Sequence, residues 1–244
     1  MFEFVNKIFH VRWIYLIFGS YIYTESGSTL VIGKNVRIRK TKIHLQKGST
    51  LIIGDNVSII NTVMALSNSQ VSIGDNSILY KGDMPQKFKF TVSNSQVIIG
   101  KYNRIRAQRF WIRFGGKLEC GDYINVNEYS EIRCDEYVKI GDFVGISYNV
   151  RIWDTNTHEF EPMEQRRKRW MEQYIKRDVS VKPNTKPVII GSDTWIGEHS
   201  AILKGTMLGN GCIVGYGTTL SNACIKDRIT VLNQIEIRKI PNKL

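Results

Sequence analysis

The chain has 244 residues, of which 42% are apolar, and 34 basic against 22 acidic side chains give a formal charge of +12. This fits one or two globular domains with a real core. The charge points to an anionic partner (a charged glycan, a phosphorylated cofactor, nucleic acid or a membrane surface) unless it serves only solubility. The cysteines, Cys120, Cys134, Cys212 and Cys224, form no C-x-x-C pair and no zinc-finger spacing with histidine. A reducing compartment without structural disulfides is therefore expected.

Residues 1–27 stand apart from the rest of the chain. Phe2, Val5, Phe9, Trp13 and Leu16 recur at helical spacing, with Lys7 and Arg12 between them. The reading is an amphipathic helix over residues 1–23 that caps an open end of the fold, or that lies on a membrane surface. Glu3 stands where a secretory leader has basic residues, and the apolar run from Trp13 to Phe18 is too short to span a bilayer. A cytoplasmic location is the resulting expectation, at the inner face of the membrane if the helix touches lipid.

From about residue 28 a repeat begins. Aliphatic-glycine pairs mark it: Ile32-Gly33, Ile53-Gly54, Ile73-Gly74, Ile99-Gly100, Ile140-Gly141, Ile190-Gly191 and Leu208-Gly209, with Cys120-Gly121 in the same place. The glycines are 21, 20, 26, 21, 20, 50 and 18 residues apart. Toward the C-terminus Ile190, Ile196, Ile202, Leu208, Val214 and Leu220 stand six apart, as do Ile140, Ile146 and Ile152. A six-residue period is neither helix nor flat strand. It fits hexapeptides that each supply one short strand and one corner, three to a triangular turn, with aliphatic side chains inside. Gly-Asp-Asn after a corner suits backbone that other residues resist. Arg37/Arg39 and Arg104/Arg106 alternate outward along their strands. Residues 28–232 are read as this solenoid and 233–244 as a tail.

The gap of 26 holds a modest surface loop from Lys81 to Phe90, with Pro85. The gap of 50 holds a coil and an insertion over about 155–187, and long insertions in tight folds are usually functional. The insertion carries Arg166-Arg167-Lys168-Arg169, Trp170, Tyr174, Lys176 and Arg177; residues 164–177 suit a short helix, and Pro183 and Pro187 lead back to the repeat. Trp153-Asp154-Thr155-Asn156-Thr157-His158 opens it. His158 is six after Ile152 and would point inward if the coil continued, so the chain must leave the strand before it. The other histidines, His10, His44 and His199, are scattered.

These residues resemble a known family. Ile140-Gly141-Asp142, Trp153-Asp154 through His158-Glu159-Phe160, Lys186-Pro187-Val188-Ile189-Ile190-Gly191, Thr194-Trp195-Ile196-Gly197, Leu208-Gly209-Asn210-Gly211 and Gly215-Tyr216-Gly217 are similar to motifs of hexapeptide-repeat acyltransferases. Within that family the nearest are the maltose, galactoside and nodulation O-acetyltransferases and those that decorate capsule or lipopolysaccharide sugars. The resemblance spans Lys139–Ile240; upstream only the repeat is shared. It implies an all-β, left-handed parallel β-helix and a homotrimer with acetyl-CoA between subunits, and no metal. His158 matches the catalytic histidine and Trp195 a tryptophan beside the active site. Gly197, Gly215, Tyr216, Ser221 and Asn222 fall where the family meets the pantetheine arm, and Arg238 and Lys239 where basic residues meet CoA phosphates. Ser221-Asn222-Ala223 and Leu232-Asn233-Gln234-Ile235 depart from the Thr-Lys-Asp and Gly-Asn-Pro-Ala usual there.

The expected activity is acetyl transfer from acetyl-CoA to a hydroxyl of a bacterial surface polysaccharide. His158 is the general base, since its ordinary pKa lies near neutrality. Asp154 orients the imidazole or binds the acceptor, and Asn127 and Glu128 stack beneath the same corner. Asn156, Arg166 and Arg167 join the acceptor side, where the positive charge suits an anionic glycan rather than nucleic acid. Acylation of a small or nucleotide-linked sugar is one alternative. A non-catalytic polyanion-binding solenoid is another. A zinc-dependent anhydrase on the same solenoid would need three converging histidines, which the spacing does not supply.

Overall fold

The computed structural model describes residues 19–158, 160–176 and 181–234. Residues 1–18 of the helix expected over 1–23, and the tail basic residues Arg238 and Lys239 beyond 234, lie outside the described residues. Three parallel sheets of nine strands each form a three-sided solenoid. The first sheet includes Tyr21–Thr24, Arg109–Ile112, Glu131–Cys134, Arg151–Trp153 and Ala201–Leu203; the second Lys117–Cys120, Tyr137–Ile140 and Val188–Ile190; the third Arg104–Ile105, Asn125–Val126, Gly145–Ile146, Trp195–Ile196 and Ile213–Val214. This is an all-β parallel solenoid with one described helix, consistent with the left-handed β-helix that the family resemblance implies.

The period-six aliphatics form the core: Ile140, Ile146, Ile152, Ile190, Ile196, Ile202, Leu208, Val214 and Leu220 are all buried. Between them the chain turns three corners per coil, and the corners explain the remaining pattern. At the corner from the second to the third sheet the next coil passes so close that a Cβ on Gly33 would lie 2.5 Å from Asp55 Oδ1 and 2.6 Å from the Gly54 carbonyl carbon. Only glycine fits that approach. The Asp after it caps the coil below: Lys34, Asp55, Lys101 and Asp122 N–H groups donate to Asp55, Asp75, Asp122 and Asp142 carboxylates at 2.6–2.9 Å. The Asn takes the left-handed position, with φ near 57° at Asn56 and 58° at Asn76, and Asn35, Asn56 and Asn76 form an amide ladder. Further along, Tyr102, Tyr123 and Phe143 replace the amides as rings stacked 4.8 Å apart, which is the rise of one coil.

Two elements differ from the sequence reading. The first strand, Tyr21–Thr24, pairs with Lys42–Leu45, so residues 21–23 are strand rather than helix and the repeat starts before 28. The loop in the 26-residue gap ends at Lys87, because Phe88–Ser93 is a strand. Phe88 and Phe90 are fully buried and pack against Phe110 with ring centroids 5.2 and 5.5 Å away. Phe88-Lys89-Phe90 has the alternation of a half-buried strand.

Candidate active site

The insertion leaves at the corner between the first and second sheets. The strand Arg151–Trp153 ends in a stack of planar groups: Arg133 lies 4.2 Å from the Trp153 ring centroid and 5.4 Å from that of Trp111 in the two coils before. The next residue, Asp154, is completely buried. Its Oδ1 accepts the Asp135 N–H and its Oδ2 those of Glu136 and Tyr137, all at 2.8 Å. Burial pushes its carboxyl up to about 6, against the downward pull of these donors. Both oxygens are thus committed to the turn of the preceding coil. Spacing alone pairs Asp154 with His158 four residues on; the structure instead gives it the task of holding the root of the insertion.

The root is closed as a short antiparallel clasp. Thr155 bridges Thr185, the Asn156 N–H donates to the Asn184 carbonyl at 3.1 Å, and the Lys186 N–H to the Asp154 carbonyl at 2.9 Å. Thr157 then takes φ 69°, with its N–H on Thr155 Oγ1 at 3.1 Å. That left-handed turn carries the chain off the inward register, so His158 is exposed instead of entering the core. Asn156 is half-buried beside it.

The insertion then forms a helix, α1, over Met163–Lys176. Arg166, Arg167 and Lys168 are exposed. Arg169 is not available in the same way: its side chain is 13% exposed and its Nε lies 3.2 Å from Glu161 Oε2, an ion pair without hydrogen-bond alignment. The exposed charge in this basic run is therefore three groups, not the four that the sequence suggests.

The remaining site residues divide between two corners of the chain. Ser221 and Asn222 lie two coils beyond Asp154 on the same corner as the insertion. Lys186, which the sequence reading quotes within a motif but gives no part in the site, reaches from the insertion's return to Asn222 Oδ1 at 2.9 Å. Asn127 and Glu128 do not stack beneath His158. They sit at the corner between the third and first sheets, below Ser147 and Tyr148, and the strand Arg151–Trp153 runs between that corner and the insertion. Gly197, Gly215 and Tyr216 continue the same corner upward, with Tyr216 70% exposed and 5.3 Å from the His199 ring.

Trp195 lies on the third-sheet face beside this second group and is 58% exposed. In register beneath it comes Gly145 and then Asn125. A Cβ on Gly145 would meet Trp195 Cδ1 at 3.4 Å, and φ there is not positive, so the glycine's contribution is space beside the indole. A glycine within a strand, where a β-branched residue is usual, is the sequence signal for such a notch. The two corners together supply an exposed imidazole and an aromatic, amide-lined notch. In a single copy they are on different edges.

Comparison with known proteins agrees with this architecture. Residues 187–222 match the family described as bacterial transferase hexapeptide (six repeats). The resemblance of the chain to hexapeptide-repeat transferases therefore holds in sequence as well as in fold. A Mycobacterium tuberculosis protein named as an acetyltransferase is 32% identical over 120 residues, covering 49% of this chain and 34% of its own length. WbbJ of Escherichia coli K12, named as an O-acetyl transferase of lipopolysaccharide biosynthesis, is 33% identical over 103 residues, covering 41% and 48%. The chain thus spans about a third and about half of the lengths of these relatives. Among solved structures, the polysialic-acid-specific acetyltransferase NeuO superposes with a TM-score of 0.52 at 19% identity, covering 89% of this chain and 88% of NeuO. Arabidopsis UDP-N-acetylglucosamine acyltransferase gives 0.52 at 13% identity, covering 86% and 71%. At these identities the structural likeness concerns the fold.

If Asp154 anchors the insertion, Asp154→Ala leaves one buried and two part-buried N–H donors without their acceptor and lowers stability by about 1–3 kcal/mol. Denaturant unfolding measures this. A variant as stable as the parent would remove the anchoring role.

Proposed function

We propose that the protein is an acetyl-CoA-dependent O-acetyltransferase that acts on a hydroxyl of a bacterial surface polysaccharide, of the capsule or lipopolysaccharide kind. The observation that carries this reading is the single long interruption of the solenoid, which holds an exposed histidine at a clasped, left-handed turn. The names of the relatives support the acyl-transfer chemistry. WbbJ by its name, and NeuO by its own, make a surface glycan the natural acceptor class.

Acyl transfer from a thioester to an alcohol asks two things of the protein. The attacking hydroxyl must lose its proton, and charge on the carbonyl oxygen must be met by a donor. His158 takes the proton from the acceptor hydroxyl and returns it to the departing thiolate. Asn127 contacts the acceptor from the notch beside Trp195, with Asn156 on the histidine's side. Trp195, Gly197, Gly215, Tyr216, Ser221 and Asn222 line the donor's path. His158 and Asn127 occupy different edges of one copy, so a complete site takes one edge from each of two neighbours. A closed cyclic homotrimer supplies such pairs three times over. Arg166, Arg167 and Lys168 attract an acidic glycan.

His158→Ala is expected to cut acetyl transfer by about 10²–10⁴-fold while melting temperature and CoA binding stay unchanged. Turnover near the parent level with an accepted sugar would refute the assignment. Replacing Arg166, Arg167 and Lys168 together by Gln should raise KM for an anionic acceptor, most at low salt, because exposed charges act over about 10 Å at 0.1 M salt. The KM for acetyl-CoA should barely move. A rise in that constant alone would reassign the helix to the donor, and no change in either would leave it without a part in binding.

A further inference from the structure

Below the notch the third-sheet face carries a polar group that the reaction scheme leaves unexplained. Arg106 follows the strand Arg104–Ile105 and stands one coil below Asn127. Its side chain is only 18% exposed. Nη2 donates to Asn127 Oδ1 and lies 3.5 Å from Asn125 Oδ1, and Nη1 is 3.4 Å from Glu128 Oε1. Asn125 Nδ2 also donates to Asn127 Oδ1, at 3.3 Å. Glu128 is 5% exposed, and its Oε2 and the Arg106 Nε are buried without hydrogen-bond partners. The carboxylate is wedged against the 81–87 loop: a Cβ on Gly82 would lie 2.1 Å from Glu128 Oε1.

Burying a charged pair this incompletely satisfied is costly, and such a pair is seldom kept for stability alone. Its effect on Asn127 is specific. A guanidinium carries donors and no acceptor, so the amide atom that it meets must be the oxygen. With Arg106 and Asn125 both on Oδ1, the amide cannot flip, and its NH₂ is turned away from them. We infer that Arg106 is a positioning residue that locks the Asn127 amide with its donor end toward the acceptor. Glu128 holds the guanidinium from behind, and the 81–87 loop holds Glu128. This rests on the reading of Asn127 as an acceptor contact. A flipped amide would present an oxygen where a donor is required, the reverse of what a sugar oxygen or a developing oxyanion needs.

Removing Arg106 alone would strand the Glu128 carboxylate, so Arg106→Met is always made together with Glu128→Gln and compared with the intact pair, which leaves neither charge buried alone in any protein tested. Arg106→Met, Asn127→Ala and the combination are compared by CoA release from acetyl-CoA. The acceptor is the fastest-used member of a panel of neutral and anionic oligosaccharides and nucleotide sugars. Arg106→Met should lower kcat by about 10–100-fold, the scale expected when one contact is misplaced, with the acetyl-CoA KM unchanged. In the Asn127→Ala background the same substitution should cost less than about twofold, because there is no amide left to orient. Equal kcat losses in both backgrounds, or no loss in either, would overturn the positioning role. If Asn127→Ala by itself left kcat and the acceptor KM unchanged, the reading of Asn127 would fail instead, and the proposal with it.

Discussion

The structure depends on the close stacking of each coil on the next. Every strand hydrogen-bonds to its counterpart one coil away, and the corners must repeat at the same height. The requirement reaches the single residue: glycine where backbones approach within a Cβ's radius, Asp where an N–H of the coil below needs an acceptor, and a left-handed Asn or aromatic next to it. A chain so constrained has little freedom to shape a pocket. Its faces are flat, and its interior is filled with aliphatic and phenylalanine side chains.

Chemistry therefore gathers where the stacking is interrupted or relaxed. The insertion between Trp153 and Val188 is the larger interruption, and the chain uses a buried carboxylate, a clasp and a left-handed threonine to leave the coil cleanly at that point. Gly145 is the smaller one, a missing side chain that opens space beside Trp195. The 81–87 loop is a third, and it closes over Glu128 and the arginine behind the notch. The insertion and the notch at Gly145 lie on different edges of the triangle, so the proposed site would be assembled between copies.

Much of this is legible in the sequence, for physical reasons. The six-residue spacing of Ile190 to Leu220 is a direct image of the inward positions, and all are buried. The insertion stands out because nothing else breaks the beat for so long. What stays hidden depends on which corner a residue occupies. Asp154 and His158 are four apart, yet the turn sends the carboxylate back to the previous coil. Asn127 and Glu128 precede Asp154 and His158 by 26–31 residues, which is one coil of about 20 and one further corner, so they round a different corner. Phe88 and Phe90 look like loop because the first-sheet strands at Thr62–Ser67 and Phe88–Ser93 run to six residues. Arg106 is visible as one of an outward pair, but its role appears only when the coil above is placed on it.

The central claim is that one active site is built from the insertion edge of one copy and the notch edge of another. Co-expression of His158→Ala and Asn127→Ala chains under two affinity tags, followed by tandem purification of mixed assemblies, tests it directly. Neither variant alone should transfer acetyl groups at an appreciable rate. In a closed ring of three that holds both kinds of chain, one interface joins an intact His158 to an intact Asn127, so the mixture should recover about a third of parental turnover. Mixed assemblies as inactive as either parent variant would contradict the account, and would place both groups in a site within a single chain.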